Sequence, residues 1–169
     1  MQSNTRARSG YKAALAACLL LSLADTTYAA STTSTFAVQV AITATCTINS
    51  ASTLNFGTQG VLATNVDQTS TLQVTCTNTT PYNIGLDAGT GSGATVAVRK
   101  LTSSSNTLNY TLYSDSGRST VWGNTISTDT VAGTGNGAAQ NFTVYGRIPT
   151  QSTPAPGTYT DTITVTVTY

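Results

Sequence analysis

Tyr159-Thr160-Asp161-Thr162-Ile163-Thr164-Val165-Thr166-Val167-Thr168-Tyr169 is the stretch that decides the fold. Threonine takes every second position. Tyr159, Asp161, Ile163, Val165, Val167 and Tyr169 therefore share the other face of an extended chain. Such a period of two predicts a strand with one face on a core and the other in water, running to the last residue. Ile163, Val165, Val167 and Tyr169 are its expected core residues.

The same alternation recurs near the other end, in Thr35-Phe36-Ala37-Val38-Gln39-Val40-Ala41-Ile42-Thr43. Phe36, Val38, Val40 and Ile42 fall on one face. The stretch follows a leader-like segment. Arg6, Arg8 and Lys12 form a basic region, Ala13 to Leu23 is an apolar run too short for a stable membrane anchor, and Thr27-Tyr28-Ala29-Ala30 offers small residues for cleavage. Residues 1–30 are read as a secretory signal peptide. Leu15-Ala16-Ala17-Cys18 spells a lipoprotein-like box, but the apolar run continues past the cysteine, so no lipid anchor is expected. The alternating segment thus lies close to a free N-terminus, where chains ordinarily fray. Four large apolar side chains in register there call for a partner that buries them.

Between these ends the sequence keeps to strand chemistry. Thr69 to Thr77, Tyr82 to Ala88, Val96 to Leu101, Leu108 to Tyr113 and Asn141 to Ile148 are strand candidates, and Leu54-Asn55-Phe56-Gly57 is a short apolar piece. Asn78 to Pro81, Gly89 to Gly93, Asp115-Ser116-Gly117 and Gly133 to Ala138 supply turns and loops. Gln59 to Gln68 reads as loop. Six core strands with turns every 8–12 residues suggest a sandwich, and an immunoglobulin-type sandwich has seven strands. The N-terminal stretch would be the seventh, in its own sandwich or in a neighbour's. Only about four residues, reaching ~13–14 Å, separate Ile42 from Cys46, which leaves little room to fold back.

Composition excludes several functions. Of the 169 residues none is His or Glu, and all six acids are Asp. Without the leader, seven basic residues fall to four and six acidic to five, a net charge of −1. No basic patch for nucleic acid remains. Ser-His-Asp and Cys-His catalysis is impossible, and Asp67, Asp87, Asp115, Asp129 and Asp161 sit in turn-like contexts. No enzyme, cofactor or metal site is expected. Trp122, Tyr110 and Tyr113 could stack on sugars, but core positions suit them better. Asn78, Asn109 and Asn141 begin glycosylation-like triplets of low information in so Asn- and Thr-rich a chain. Cys46 and Cys76 are the two cysteines left after the leader. In a secreted chain they point to one disulfide, worth about 3.7 kcal/mol for a loop of about 31 residues.

In order, these pieces resemble the spore coat protein U family, the secreted pilins of archaic chaperone–usher pili. The resemblance rests on the apolar leader before Ala44-Thr45-Cys46, Leu54-Asn55-Phe56-Gly57, Leu72-Gln73-Val74-Thr75-Cys76, Tyr110 to Tyr113 with Asp115 and Arg118, and Pro156-Gly157-Thr158-Tyr159-Thr160-Asp161-Thr162. It implies an all-β, incomplete immunoglobulin-like sandwich lacking its last strand. Residues 31–43 would be a donor-strand extension and 44–169 the sandwich domain. Phe36, Val38, Val40 and Ile42 would be the plugs that enter the next subunit's groove by strand addition. Burying four such side chains is worth on the order of 6–12 kcal/mol before ordering costs. The implied partners are like subunits, a periplasmic chaperone and an outer-membrane usher. The implied destination is a surface fibre for adhesion and biofilm formation. The alternatives are a monomeric secreted coat protein and a carbohydrate-binding adhesin module.

Overall fold

The computed structural model describes residues 28–169. The expected leader lies outside these residues except for its last three positions. Among the described residues there is no helix; eight strands form two antiparallel sheets. In chain order they are β1 (Cys46–Ala51), β2 (Val66–Cys76), β3 (Pro81–Leu86), β4 (Arg99–Ser103), β5 (Asn106–Tyr113), β6 (Val131–Thr134), β7 (Ala139–Ile148) and β8 (Val165–Thr168). One sheet runs β1-β2-β7-β5-β4 and the other β6-β3-β8. This is the immunoglobulin-like sandwich anticipated, with eight strands rather than six in its body.

The core lies between the sheets. Leu72 and Val74 of β2, Ile84 and Leu86 of β3, Leu108 and Leu112 of β5, and Val144 and Ile148 of β7 are buried there. The members of each set lie two or four positions apart, because alternate side chains of a strand share a face. Trp122 is 1% exposed and donates its indole N–H to the Ile84 carbonyl at 2.8 Å. Tyr110 is buried too. Two of the three aromatics that a sugar-binding reading needs at the surface, Trp122 and Tyr110, are thus core residues, while Tyr113 is half-buried. Arg99 is fully buried, and its guanidinium donates to the carbonyls of Asp87, Val96, Leu86 and Trp122 at 2.7–3.0 Å. A buried cation is tolerable when its donors are met. Burial chiefly pulls its pKa down, while the nearby Tyr110, Asp87 and Asp161 oppose that shift.

Cys46, the first residue of β1, lies directly opposite Cys76, the last of β2, and the two are disulfide-bonded. Across the outer face of β2 and β7, Asp67 opposes Arg147, which grips it through two nitrogens at 2.7 and 2.8 Å. Arg118 approaches the same carboxylate at 3.3 Å.

Two expected strands end up shorter. The segment read as strand from Phe36 to Ile48 is strand only from Cys46, since among the described residues the ladder with β2 begins there, with Thr45 hydrogen-bonded to Thr77 just before it. The closing strand divides. Thr160 bridges Thr102 on the edge of β4, whereas 165–168 pairs with β3 in the other sheet. The glycine-bearing 131–134 stretch, expected as loop at its end, pairs with β3 as β6.

Candidate functional site

β8 has a partner on one side only. Its register sets Asn83 against Thr168, Ile84 against Val167, Gly85 against Thr166 and Leu86 against Val165. Asp87 N–H donates to the Thr164 carbonyl, and Thr164 N–H donates back to the Asp87 carboxylate. Leu86 N–H instead turns away, to the Gly123 carbonyl. Backbone groups alternate sides along an antiparallel strand. Those of Thr164, Thr166 and Thr168 therefore face β3, and those of Ile163, Val165 and Val167 face outward. Among the described residues β8 is the edge of its sheet, so the outward groups form a row with no strand beside it.

Beside that row lies an open groove of ≈ 390 Å³. One wall is Asp161, Thr162, Ile163 and Val165; the other is Ala51 to Leu54 with Phe56. Leu72, Leu86, Leu112 and Val144 form an apolar floor. Gly146 of β7 makes the second wall possible. A Cβ there would lie 2.7 Å from Leu54 Cδ1 and 3.0 Å from Phe56 Cζ. The groove is polar at one end, where Tyr110 donates its hydroxyl to Asp161 at 2.7 Å. Burial, then this bond, pushes the Tyr110 pKa well above the usual phenol range. Asp161 also accepts from Thr90 N–H and Oγ. Asp87 shows the opposite balance. Burial alone would raise its pKa, but hydrogen bonds from Thr164 and Gly89 outweigh this and lower it.

Ile163, Val165 and Val167 pack half-buried against the core, as their spacing predicts. Tyr169 does not. It lies one residue past β8 and is 57% exposed, because the ladder stops at Thr168 and no side chain covers it. Phe36, Val38, Val40 and Ile42 are 79–87% exposed, and no strand includes them. Sequence reasoning missed Arg99 and the hydrogen-bonding work of Asp87 and Asp161. The proximity of Asp161 to Tyr110 is a property of the folded chain alone.

Comparison with known proteins agrees with this architecture. Protein U of Myxococcus xanthus is 34% identical over 139 residues, 73% of this chain and 77% of that protein. A similar solved fold is a chain of the CsuC–CsuE chaperone–tip adhesion subunit pre-assembly complex, from the archaic chaperone–usher Csu pili of Acinetobacter baumannii. The TM-score is 0.55 at 22% identity, over 76% of this chain; this chain spans only 40% of that one. The Spore Coat Protein U domain model matches residues 32–166, so the chain belongs to the Spore Coat Protein U domain family.

Proposed function

We propose that this chain is a structural, non-enzymatic pilin subunit that polymerises by donor-strand exchange. One pairing of features carries the reading: an open groove beside the edge strand β8, and an exposed alternating stretch, residues 36–42, that belongs to no strand. At about 3.4 Å per residue, the plugs from Phe36 to Ile42 span ~20 Å in steps of ~6.8 Å. An inserted segment would pair with the outward backbone groups of Ile163, Val165 and Val167 while its side chains replace water on the groove floor. Edge pairing supplies hydrogen bonds and the plugs supply the apolar term.

Residues 1–30 act, in this reading, as the export signal, and 31–43 as the exported strand. A periplasmic chaperone fills the groove until an outer-membrane usher hands it the next subunit's extension. The product is a cell-surface fibre serving adhesion and biofilm formation. Membership of the family and likeness to a chain of a chaperone–subunit complex support this. The decisive experiment is deletion of residues 31–43. The expected result is a folded subunit that still binds chaperone, or a synthetic 31–43 peptide, but forms no polymer. A deletion variant that still polymerises would overturn the proposal.

A further inference from the structure

We infer that the Cys46–Cys76 disulfide is the junction through which the fibre transmits tension, passing it straight from the exported strand to the groove-bearing sheet. This rests on the strand-exchange reading, in which each subunit is pulled through its own tail at one point and through the strand in its groove at another. The tail meets the folded body at Thr45 and Cys46. β1, which begins there, is an edge strand held only by β2. Pulled from its first residue, β1 would part from β2 one pair at a time, Cys46 from Cys76, then Thr47 from Thr75, then Ile48 from Val74. Each step would break only a bond or two, worth about 1 kcal/mol net apiece. Beyond β1 comes the wall of the groove, Leu54 and Phe56. Peeling β1 would therefore dismantle the groove and release the strand it holds.

The disulfide closes that route at its first step. It carries load from Cys46 into Cys76, past β1 altogether. The Thr77–Thr80 turn then leads directly into β3, whose neighbour is β8, the strand that borders the groove. The turn is fastened at both ends. Thr77 N–H donates to the Thr45 carbonyl at 2.9 Å, and Thr45 N–H to Thr77 Oγ1 at 3.1 Å. Thr79 N–H donates to the Gly135 carbonyl at 2.8 Å, and Gly135 N–H to the Thr80 carbonyl at 2.7 Å. The path from tail to groove thus runs through one covalent bond, one stitched turn and one ladder.

The test is single-fibre stretching of polymer assembled with chaperone and usher, comparing native chain with Cys46→Ser/Cys76→Ser. The variant fibre is expected to yield at lower force, with an added extension as residues 46–65 are freed, up to about 70 Å at ~3.5 Å per residue. Should the variant not fold, native fibres reduced after assembly, with both thiols counted by alkylation, give the same contrast. A second arm keeps the disulfide and weakens β1 by Thr47→Pro; its yield force is expected to match native. Equal yield with and without the disulfide, or a fall in the Thr47→Pro fibre, overturns the inference and leaves strand exchange standing. A native chain that forms no fibre with chaperone and usher overturns the strand-exchange reading itself, and this inference with it.

Discussion

Residues 36–42 and 163–167 carry one pattern and reach opposite states. Both place a large apolar side chain at every second position. In the second, Ile163, Val165 and Val167 lie half-buried and the strand is laddered to β3. In the first, all four apolar side chains face solvent. The local sequence does not decide between them, since alanine and glutamine fill the intervening positions of the first and threonine those of the second, with no charge or breaker in either. What separates them is a neighbour. Alternation specifies a strand with one dry face, but not the sheet that dries it.

The contrast can be pressed hardest at its boundary. Removing the disulfide by Cys46→Ser/Cys76→Ser is expected to lower the stability of the isolated subunit by about 3.7 kcal/mol, read by denaturant titration. Deleting residues 31–43, a few positions away, is expected to leave the same midpoint unchanged. A smaller effect compares one substitution in both stretches. Val165→Asp sets a carboxylate against the apolar groove wall and is expected to cost about 1–3 kcal/mol of subunit stability. Val38→Asp should stay within about 0.5 kcal/mol in the isolated subunit yet abolish polymer. Equal destabilisation by the two would break the comparison, because it would mean that the tail is already packed.

Acid offers a gentler probe. The Asp87 carboxylate accepts hydrogen bonds at the start of the β8 ladder, and its pKa is lowered in the folded chain. A depressed carboxylate contributes stability that is present above the unfolded value of 3.8 and is lost as pH falls through the folded one. Asp67, lowered by its hydrogen bond to Arg147, behaves alike but is partly exposed and counts for less. Thermal melts should therefore drop below about pH 4, and Asp87→Asn should flatten that slope. Residues 31–43 contain no ionisable side chain, so an inserted peptide brings no titrating group of its own. The smallest expected effect is at Tyr169. Tyr169→Ala should change stability by less than about 0.5 kcal/mol, since the side chain is largely in water.

Much of the sandwich was legible in advance. β2, β3, β5 and β7 announce themselves through Leu72/Val74, Ile84/Leu86, Leu108/Leu112 and Val144/Ile148, because a strand covered on one face leaves a period-two trace. The disulfide followed from a count of two cysteines. The groove itself was not legible: Leu54 and Phe56 read only as a short apolar piece, and Ile163 and Val165 as core. What stayed hidden depends on where the chain goes next. Nothing between Tyr159 and Tyr169 marks the point at which it leaves β4 for β3. Val131–Thr134 has too much glycine and too few residues to announce a strand, and is one because β3 lies beside it. Arg99 is the clearest case. Arginine rarely enters a core, and three of its four carbonyl acceptors, Leu86, Asp87 and Trp122, lie on segments distant in sequence that meet it only after folding.

The open edge of β8 has a further consequence. Tail and groove are unlike surfaces, so a joint between them is heterologous and does not close on itself as a twofold dimer does. Under the proposed strand exchange a line of such subunits would have direction. One end would display a vacant groove and the other an unclaimed strand, however long the line became. The two ends call for different caps: a protein with a strand to give but no groove to fill at one, and the reverse at the other. Length is then set by the supply of caps, and nothing inside the subunit itself counts to a limit.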